Sequence, residues 1–504
     1  MHRFLGRRLS VDVFGSLPLL GATAPTTDVT EAAPAAGPLI ALLAFGIALL
    51  LILILRLKLQ AFLALLVVSV AVAASSRLVN PDAVPLTQVA NTIVDSMGGA
   101  LGFIATIIGI GAIFGAILEH SGGTQSLAKQ LVRAFGPEKA SWAMLLTGFV
   151  ISIPVFLDVA LVILAPLLFA LARDTKRPYL YFGLPLVSGL AVTHAFVPPT
   201  PGPVAVAYLL GVNLGWVILF GVMVGLPTAI ICGPWMCRWL ADRVVVPPID
   251  EDAIVAIDDE NLPSLKTVLT FIGLPISMIL ANTVVEQWVA RDLPDGLGGA
   301  ERASQLAELL ANADAWVQAV TFLGHPVIAL LATTIAALYF LGTRRGVDRE
   351  TLLQISTQAL GPAGIIILIT GAGGVFKGVL KSTGITDALV VVFADSGISV
   401  LVLAWAFATL IRVAQGSATV AMLTAAGLIG NFVTGLNQPQ LALVTVVIAA
   451  GATGFSHVND SGFWMISRYL RMTEGQTLRT WGVISTMISL VGFSLTLVLW
   501  QFIG

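Results

Sequence analysis

Arg412 stands among small apolar and hydroxyl residues in the run Arg412-Val-Ala-Gln-Gly-Ser-Ala-Thr419. A guanidinium in such a place matches a carboxylate with two parallel hydrogen bonds. Asp158 and Asp460 have apolar neighbours as well, where a charge inside a membrane costs at least about 2.5 kcal/mol. Either acid could carry a proton, pair with Arg412 or cap a helix. Histidine is the side chain that titrates near neutral pH, and His194 and His457 are two of the five in the chain. Each is equally at home as a hydrogen-bonded core residue. Nearby are hydroxyls and amides able to bind a polyol: Ser152, Thr193, Thr200, Gln415, Ser417, Thr419, Asn459 and Ser461. Such a set can hold a small polar anion and move a proton. It contains no nucleophile–base pairing or metal constellation, so it suits binding and release rather than covalent catalysis, and it calls for no cofactor.

The same residues fall in four interruptions of otherwise apolar sequence. These are Ser152-Ile-Pro-Val-Phe-Leu-Asp158, Thr193-His-Ala-Phe-Val-Pro-Pro-Thr-Pro-Gly-Pro203, the Arg412–Thr419 run and Ser456-His-Val-Asn-Asp-Ser-Gly462. The prolines from Pro198 to Pro203 must end a helix. A helix broken inside a membrane exposes backbone amides and a positive dipole end, both suited to an anion.

The surrounding elements are membrane helices. Of the 504 residues 57% are hydrophobic and only 11% charged, against roughly 25% charged in an ordinary soluble protein. Apolar runs near 39–55, 57–74, 101–119, 178–197, 216–241, 264–285, 318–342, 363–381, 398–411, 440–456 and 480–503 each approach the ~20 residues a helix needs to span a bilayer. Helices rather than barrel strands are expected, because the runs are long and continuous. Residues 83–100 and 345–362 are more amphipathic and read as interfacial. The polar segments 242–263 and 286–317 read as solvated connectors. Net charge is −2, which points to no nucleic-acid partner, and no phosphate-binding loop points to ATP. Cys232 and Cys237 share one apolar segment without companion ligands. Residues 1–38 form an N-terminal tail. Arg3, Arg7 and Arg8 ahead of a short apolar stretch ending at Ala22-Thr23-Ala24 give it some character of a cleavable leader.

Two structural repeats are expected, 57–241 and 319–504, joined by a connector over 242–318. Gly111-Ala-Ile-Phe-Gly-Ala-Ile-Leu118 aligns with Gly373-Gly-Val-Phe-Lys-Gly-Val-Leu380 at an offset of about 262 residues. Nearly the same offset carries Gly189 onto Gly451 and Thr193-His194 onto Ser456-His457. Lys129, Arg133 and Lys139 precede residues 140–172, and Arg173, Lys176 and Arg177 follow them. Positive residues favour the cytoplasmic side, so this segment reads as a re-entrant hairpin with its tip near Pro154–Asp158. A second hairpin, about 397–435, has no Lys or Arg on its immediate flanks and would open outside. The repeats are then inverted, although Lys377 and Lys381 fall towards the outer face. The expected architecture is an all-α polytopic membrane protein of about eleven transmembrane helices plus two re-entrant hairpins in two inverted repeats.

The motifs named above resemble the gluconate:proton symporter family, the gluconate permeases. The resemblance rests on Gly189–Pro203, Ser121-Gly-Gly, Pro154-Val-Phe-Leu-Asp-Val-Ala-Leu-Val-Ile-Leu-Ala-Pro166, Arg412–Thr419 and His457-Val-Asn-Asp-Ser-Gly-Phe-Trp464, in that family's order over most of 39–504. It implies uptake of gluconate or a related aldonate with protons across a bacterial inner membrane, and, by analogy of fold, a homodimer with an elevator-like motion. Asp158 stands where members often carry Glu, and Thr200 where they often carry His. The site reading that follows puts the carboxylate on Arg412 and helix ends, the hydroxyls on Ser417, Thr419 and Asn459, and the proton on Asp158 or Asp460. Sodium-coupled uptake of another small hydroxycarboxylate is the alternative.

Overall fold

The computed structural model describes residues 36–244, 246, 262–294, 299–385, 388, 399–430, 432–433, 435–458 and 460–503. The leader-like N-terminus, the acidic run 250–260 and Asn459 lie outside these residues. The described chain is helical throughout, without a strand. The first half contains α1 (Ala36–Leu51), α2 (Ala61–Ser76), α3 (Leu86–His120), α4 (Gly123–Phe135), α5 (Ala140–Ile151), α6 (Leu157–Thr175), α7 (Leu180–Phe196), α8 (Pro201–Leu210), α9 (Leu214–Ile230) and α10 (Met236–Ala241). Three helices follow, α11 (Leu265–Val289), α12 (Gly299–Ala311) and α13 (Ala315–Gly324). The second half contains α14 (Pro326–Ala337), α15 (Arg349–Ser382), α16 (Val400–Gln415), α17 (Ala418–Ile429), α18 (Gln438–Thr453), α19 (Ser461–Tyr469), α20 (Glu474–Thr477) and α21 (Val483–Ile503).

Among the described residues, seven helical segments are long and apolar enough to cross a membrane, and shorter apolar helices such as Ala61–Ser76, Val400–Gln415 and Gln438–Thr453 lie among them. Each of the eleven expected apolar runs has a helical counterpart in this set.

Several boundaries differ from expectation. The stretches 83–100 and 345–362 are not separate interfacial elements; they are the N-terminal halves of α3 and α15, which run 35 and 34 residues. At 1.5 Å per residue each helix is about 50 Å long and exceeds the ~30 Å hydrocarbon thickness. Nothing in either stretch stops a helix once started, and Pro362 is accommodated inside α15. Asp348 starts α15: its carboxylate accepts from Thr351 N at 2.9 Å and from Thr351 Oγ1 at 2.7 Å. These bonds, the side-chain one first, hold its carboxyl below the usual range. The run 318–342 is divided at His325, which takes extended backbone (φ −58°, ψ 129°). The cause is Pro326, because a residue before proline is pushed out of the helical region. The connector 286–317 is not a plain loop, since it contains the end of α11, a short 3-10 turn and α12.

Two helices form the centre. Every residue of α7 except His194 is buried, as are Leu441–Thr453 of α18. A helix apolar on all sides is expected to be enclosed by others. The α5–α7 crossing is made close by a reciprocal pair of glycines: a Cβ on Gly148 would meet the Leu186 carbonyl, and one on Gly189 the Leu145 carbonyl. Gly451 of α18 packs likewise on the Trp405 carbonyl of α16. Small residues permit such contacts between membrane helices. Gly189→Val is therefore expected to lower stability in detergent by about 1–3 kcal/mol, read as a drop in melting temperature. An unchanged melting temperature would mean that the crossing is loose.

Candidate functional site

The breaks predicted from sequence occur in the structure. α5 and α6 part at Ser152–Phe156, α7 and α8 at Val197–Thr200, α16 and α17 at Gly416-Ser417, and α18 and α19 at Gly454–Asp460. Local chemistry explains each. Pro154 interrupts the first, and the Pro198-Pro199 pair, joined by a cis peptide bond, interrupts the second. At the third, Gly416 adopts φ +82°, a left-handed conformation that glycine enters without strain. At the fourth, Asp460 caps α19 through Gly462 N at 2.8 Å.

Residues from all these regions except the α7–α8 break line one cavity of about 710 Å³. Pro154–Val159, Ser417–Thr419 and Asp460–Gly462 bring the first turns of α6, α17 and α19 to its wall. The opening N–H groups of a helix have no partner within it, so three positive helix ends border this space. α3 and α15 complete the wall, with residues from Ala112 to His120 and from Ile355 to Ile366.

Arg412 and Asp460 form a buried ion pair in the cavity wall, exposed by only 4% and 7%. Nη2 of Arg412 donates to Oδ2 of Asp460, and Nη1 donates to the Gly416 carbonyl across the helix break. Ser456 Oγ also donates to Asp460 Oδ2 and accepts from Trp481 Nε1 at 2.8 Å. With Gly462 N on Oδ1, both oxygens of Asp460 are engaged. Nε of Arg412 has no partner. The guanidinium is thus fixed in place; Arg412 lines the cavity, while its unpartnered Nε is buried behind the wall. Trp481→Phe removes one hydrogen bond from this network, worth about 1 kcal/mol. The expected outcome is a dissociation constant for a bound anion raised about fivefold with the melting temperature little changed; an unaltered constant would detach Trp481 and Ser456 from the positioning of Arg412.

Of the residues singled out from sequence, Asp158, His194, Arg412, Ser417, Thr419, Asp460 and Ser461 line the cavity. Ser417 also caps α17, accepting from Val420 N at 3.4 Å. Asp158 is exposed in the first turn of α6. His194 packs edge-on to Phe156, ring centroids 6.2 Å apart, and its Nδ1 has no partner. Five others are not brought into the cavity wall. Ser152 and Thr193 are fully buried near the α5–α7 packing, their hydroxyls without partners. Gln415 Nε2 is likewise buried and unpartnered. Thr200 donates to the Val197 carbonyl at 2.7 Å and lines a separate pocket of about 20 Å³. His457 Nε2 lies 3.0 Å from the Val413 carbonyl. Four residues that sequence reasoning did not single out for the site, Glu119, His120, Gln358 and Trp481, also line the cavity. The available signal for Glu119 was its position two residues before Ser121-Gly-Gly.

Residues 38–503 match the family model described as GntP family permease. A gluconate permease of Pseudomonas aeruginosa is 35% identical over 435 residues, covering 85% of this chain and 91% of that protein. The low-affinity gluconate transporter of Escherichia coli is 34% identical, covering 84% and 90%, and the Gnt-II system L-idonate transporter of the same species is 32% identical, covering 80% and 87%. Among solved structures, the YdaH transporter of Alcanivorax borkumensis superposes with a TM-score of 0.59 at 13% identity, covering 88% of this chain and 98% of that one. MtrF of Neisseria gonorrhoeae gives 0.59 at 13%, covering 86% and 93%. These two likenesses concern the fold. The chain is a multi-pass helical protein of the bacterial inner membrane.

Proposed function

Since this chain belongs to the GntP family of permeases, we propose that it imports gluconate or a related aldonate by proton symport. The observation that carries the reading is the convergence of Arg412 and three helix N-termini on one cavity. Its volume of about 710 Å³ falls within the range of small-molecule sites. An aldonate combines a carboxylate with a chain of hydroxyls. The positive charge of Arg412 in the cavity wall and those first-turn amides of α6, α17 and α19 not taken by the Ser417 and Asp460 caps receive the carboxylate. Ser417, Thr419 and Ser461 receive hydroxyls, with Asn459 a further candidate by its place in the sequence. Asp158 takes the proton, because its carboxylate faces the cavity uncommitted; Asp460, the other sequence candidate, has both oxygens engaged and serves chiefly to hold Arg412.

The cavity reaches Ile355 and Gln358, within a few turns of Arg349 at the start of α15. Arg344, Arg345 and Arg349 favour the cytoplasmic side for that end, which supports reading this form as one that opens to the inside. We read residues 57–241 and 319–504 as inverted repeats. Support comes from the similar lengths of α3 and α15 and from helix breaks in corresponding places. A homodimer in which the cavity-bearing part moves against a fixed part would complete the cycle.

The test is uptake of radiolabelled gluconate into proteoliposomes under an inward proton gradient without sodium. Accumulation abolished by a protonophore is the expected result. Folded protein that accumulates gluconate only when sodium is supplied would overturn proton coupling, and failure with every aldonate offered would overturn the substrate class.

A further inference from the structure

Glu119 has no part in the reading above, yet it lies in the cavity wall together with Asp158. Neither carboxylate is paired with a cation among the described residues. Two carboxylates lining one cavity repel each other when both are ionised. Packing fixes this juxtaposition. Gly115, one turn before Glu119 on α3, is pressed against the hairpin tip so closely that a Cβ there would collide with the Pro154 carbonyl. Residues four apart on a helix share a face, so Glu119 follows Gly115 on the side that meets the hairpin. Asp158 lies four residues after Pro154, in the first turn of α6. Two acids on two separate elements are thereby brought to the wall of one cavity, where α3 meets the hairpin tip.

We propose that Glu119 and Asp158 act as a pair, a shared proton site between α3 and the tip of the first hairpin, through which proton binding is coupled to substrate binding. The proposal rests on the symport reading above. With both groups ionised, like charges oppose close approach of the hairpin to α3. A proton taken from water in the cavity converts the pair to an acid donating its O–H to a carboxylate, and the repulsion becomes a hydrogen bond. The other ionisable groups facing this space are His120 beside Glu119, His194 from α7, and the Arg412–Asp460 pair from the second half. The last two neutralise one another, and Asp158 also acts electrostatically on His194. Neutralising the pair lowers the negative charge of the cavity and so favours an arriving anion. By reciprocity of linked equilibria, anion binding must then draw in a proton.

The test measures proton uptake when gluconate is added to purified, weakly buffered protein containing a pH-indicator dye. It uses wild type, Glu119→Gln, Glu119→Asp and Asp158→Asn, with melting temperatures recorded for each. Wild type is expected to take up protons on binding. Glu119→Gln and Asp158→Asn should each lose at least about half of that uptake, whereas Glu119→Asp, which keeps the acid, should retain most of it. Folded Glu119→Gln that binds gluconate with wild-type proton uptake would overturn the pair while leaving symport intact. Absence of proton uptake in wild type that still binds gluconate would overturn both. Equal loss in Glu119→Asp and Glu119→Gln would assign Glu119 a packing role and overturn the proposal as well.

Discussion

Arg412→Lys is expected to leave the protein folded and to weaken gluconate transport by roughly a hundredfold, mostly through KM. Lysine keeps a positive charge beside Asp460, so the buried acid is not stranded. It lacks the planar fork that lets one guanidinium hold Asp460 and bridge to the Gly416 carbonyl while its charge lines the cavity. Losing a charge-assisted contact in a desolvated site costs about 2–5 kcal/mol, and each 1.4 kcal/mol is about a factor of ten. Arg412→Ala differs in kind. It leaves Asp460 buried without a counter-charge, a change that destabilises by about 3–5 kcal/mol, so loss of folded protein is expected along with loss of transport. Comparing the two variants by melting temperature and by uptake separates binding from folding. Wild-type KM in folded Arg412→Lys would remove Arg412 from the substrate site.

Asp158→Asn is expected to abolish proton-driven accumulation with little change in stability. The carboxylate is exposed to the cavity, so an amide in its place strands no partner. For one proton per monovalent anion, a gradient of one pH unit is worth about 1.4 kcal/mol and supports about tenfold accumulation. In the variant the internal concentration should stop at the external one. The measurement is the plateau of labelled gluconate in proteoliposomes at a series of imposed gradients. A plateau that rises with the gradient as in wild type would exclude Asp158 from coupling. Should Asp158→Asn and Glu119→Gln both flatten the response, the combined variant is expected to add little, since groups acting as one unit are not additive.

The sequence alone determined the membrane class, the apolar helices and the places where they break. These are local properties: an apolar run long enough to span a bilayer, prolines at 154 and 198–203, a glycine at 416 that enters the left-handed region, and an aspartate at 460 able to cap the next helix. Nothing distant is needed to read them, which is why all four breaks fall where sequence placed them. Proline also divides 318–342 at His325, a signal of the same local kind that the apolar run concealed. What the tertiary structure decided is which side chains at the breaks reach a common space. Ser152 and Thr193 are polar residues beside a break, as Ser417 and Thr419 are, but the close α5–α7 crossing buries them out of reach. Thr200 spends its hydroxyl on the Val197 carbonyl of its own turn. Glu119 shows the converse. In sequence it ends an apolar run, but the close approach of Gly115 to the Pro154 carbonyl sets the end of α3 beside the hairpin, and the acid enters the cavity wall. Where a helix breaks follows from residues adjacent in the chain; what the break faces follows from contacts between residues hundreds of positions apart, which no local pattern records.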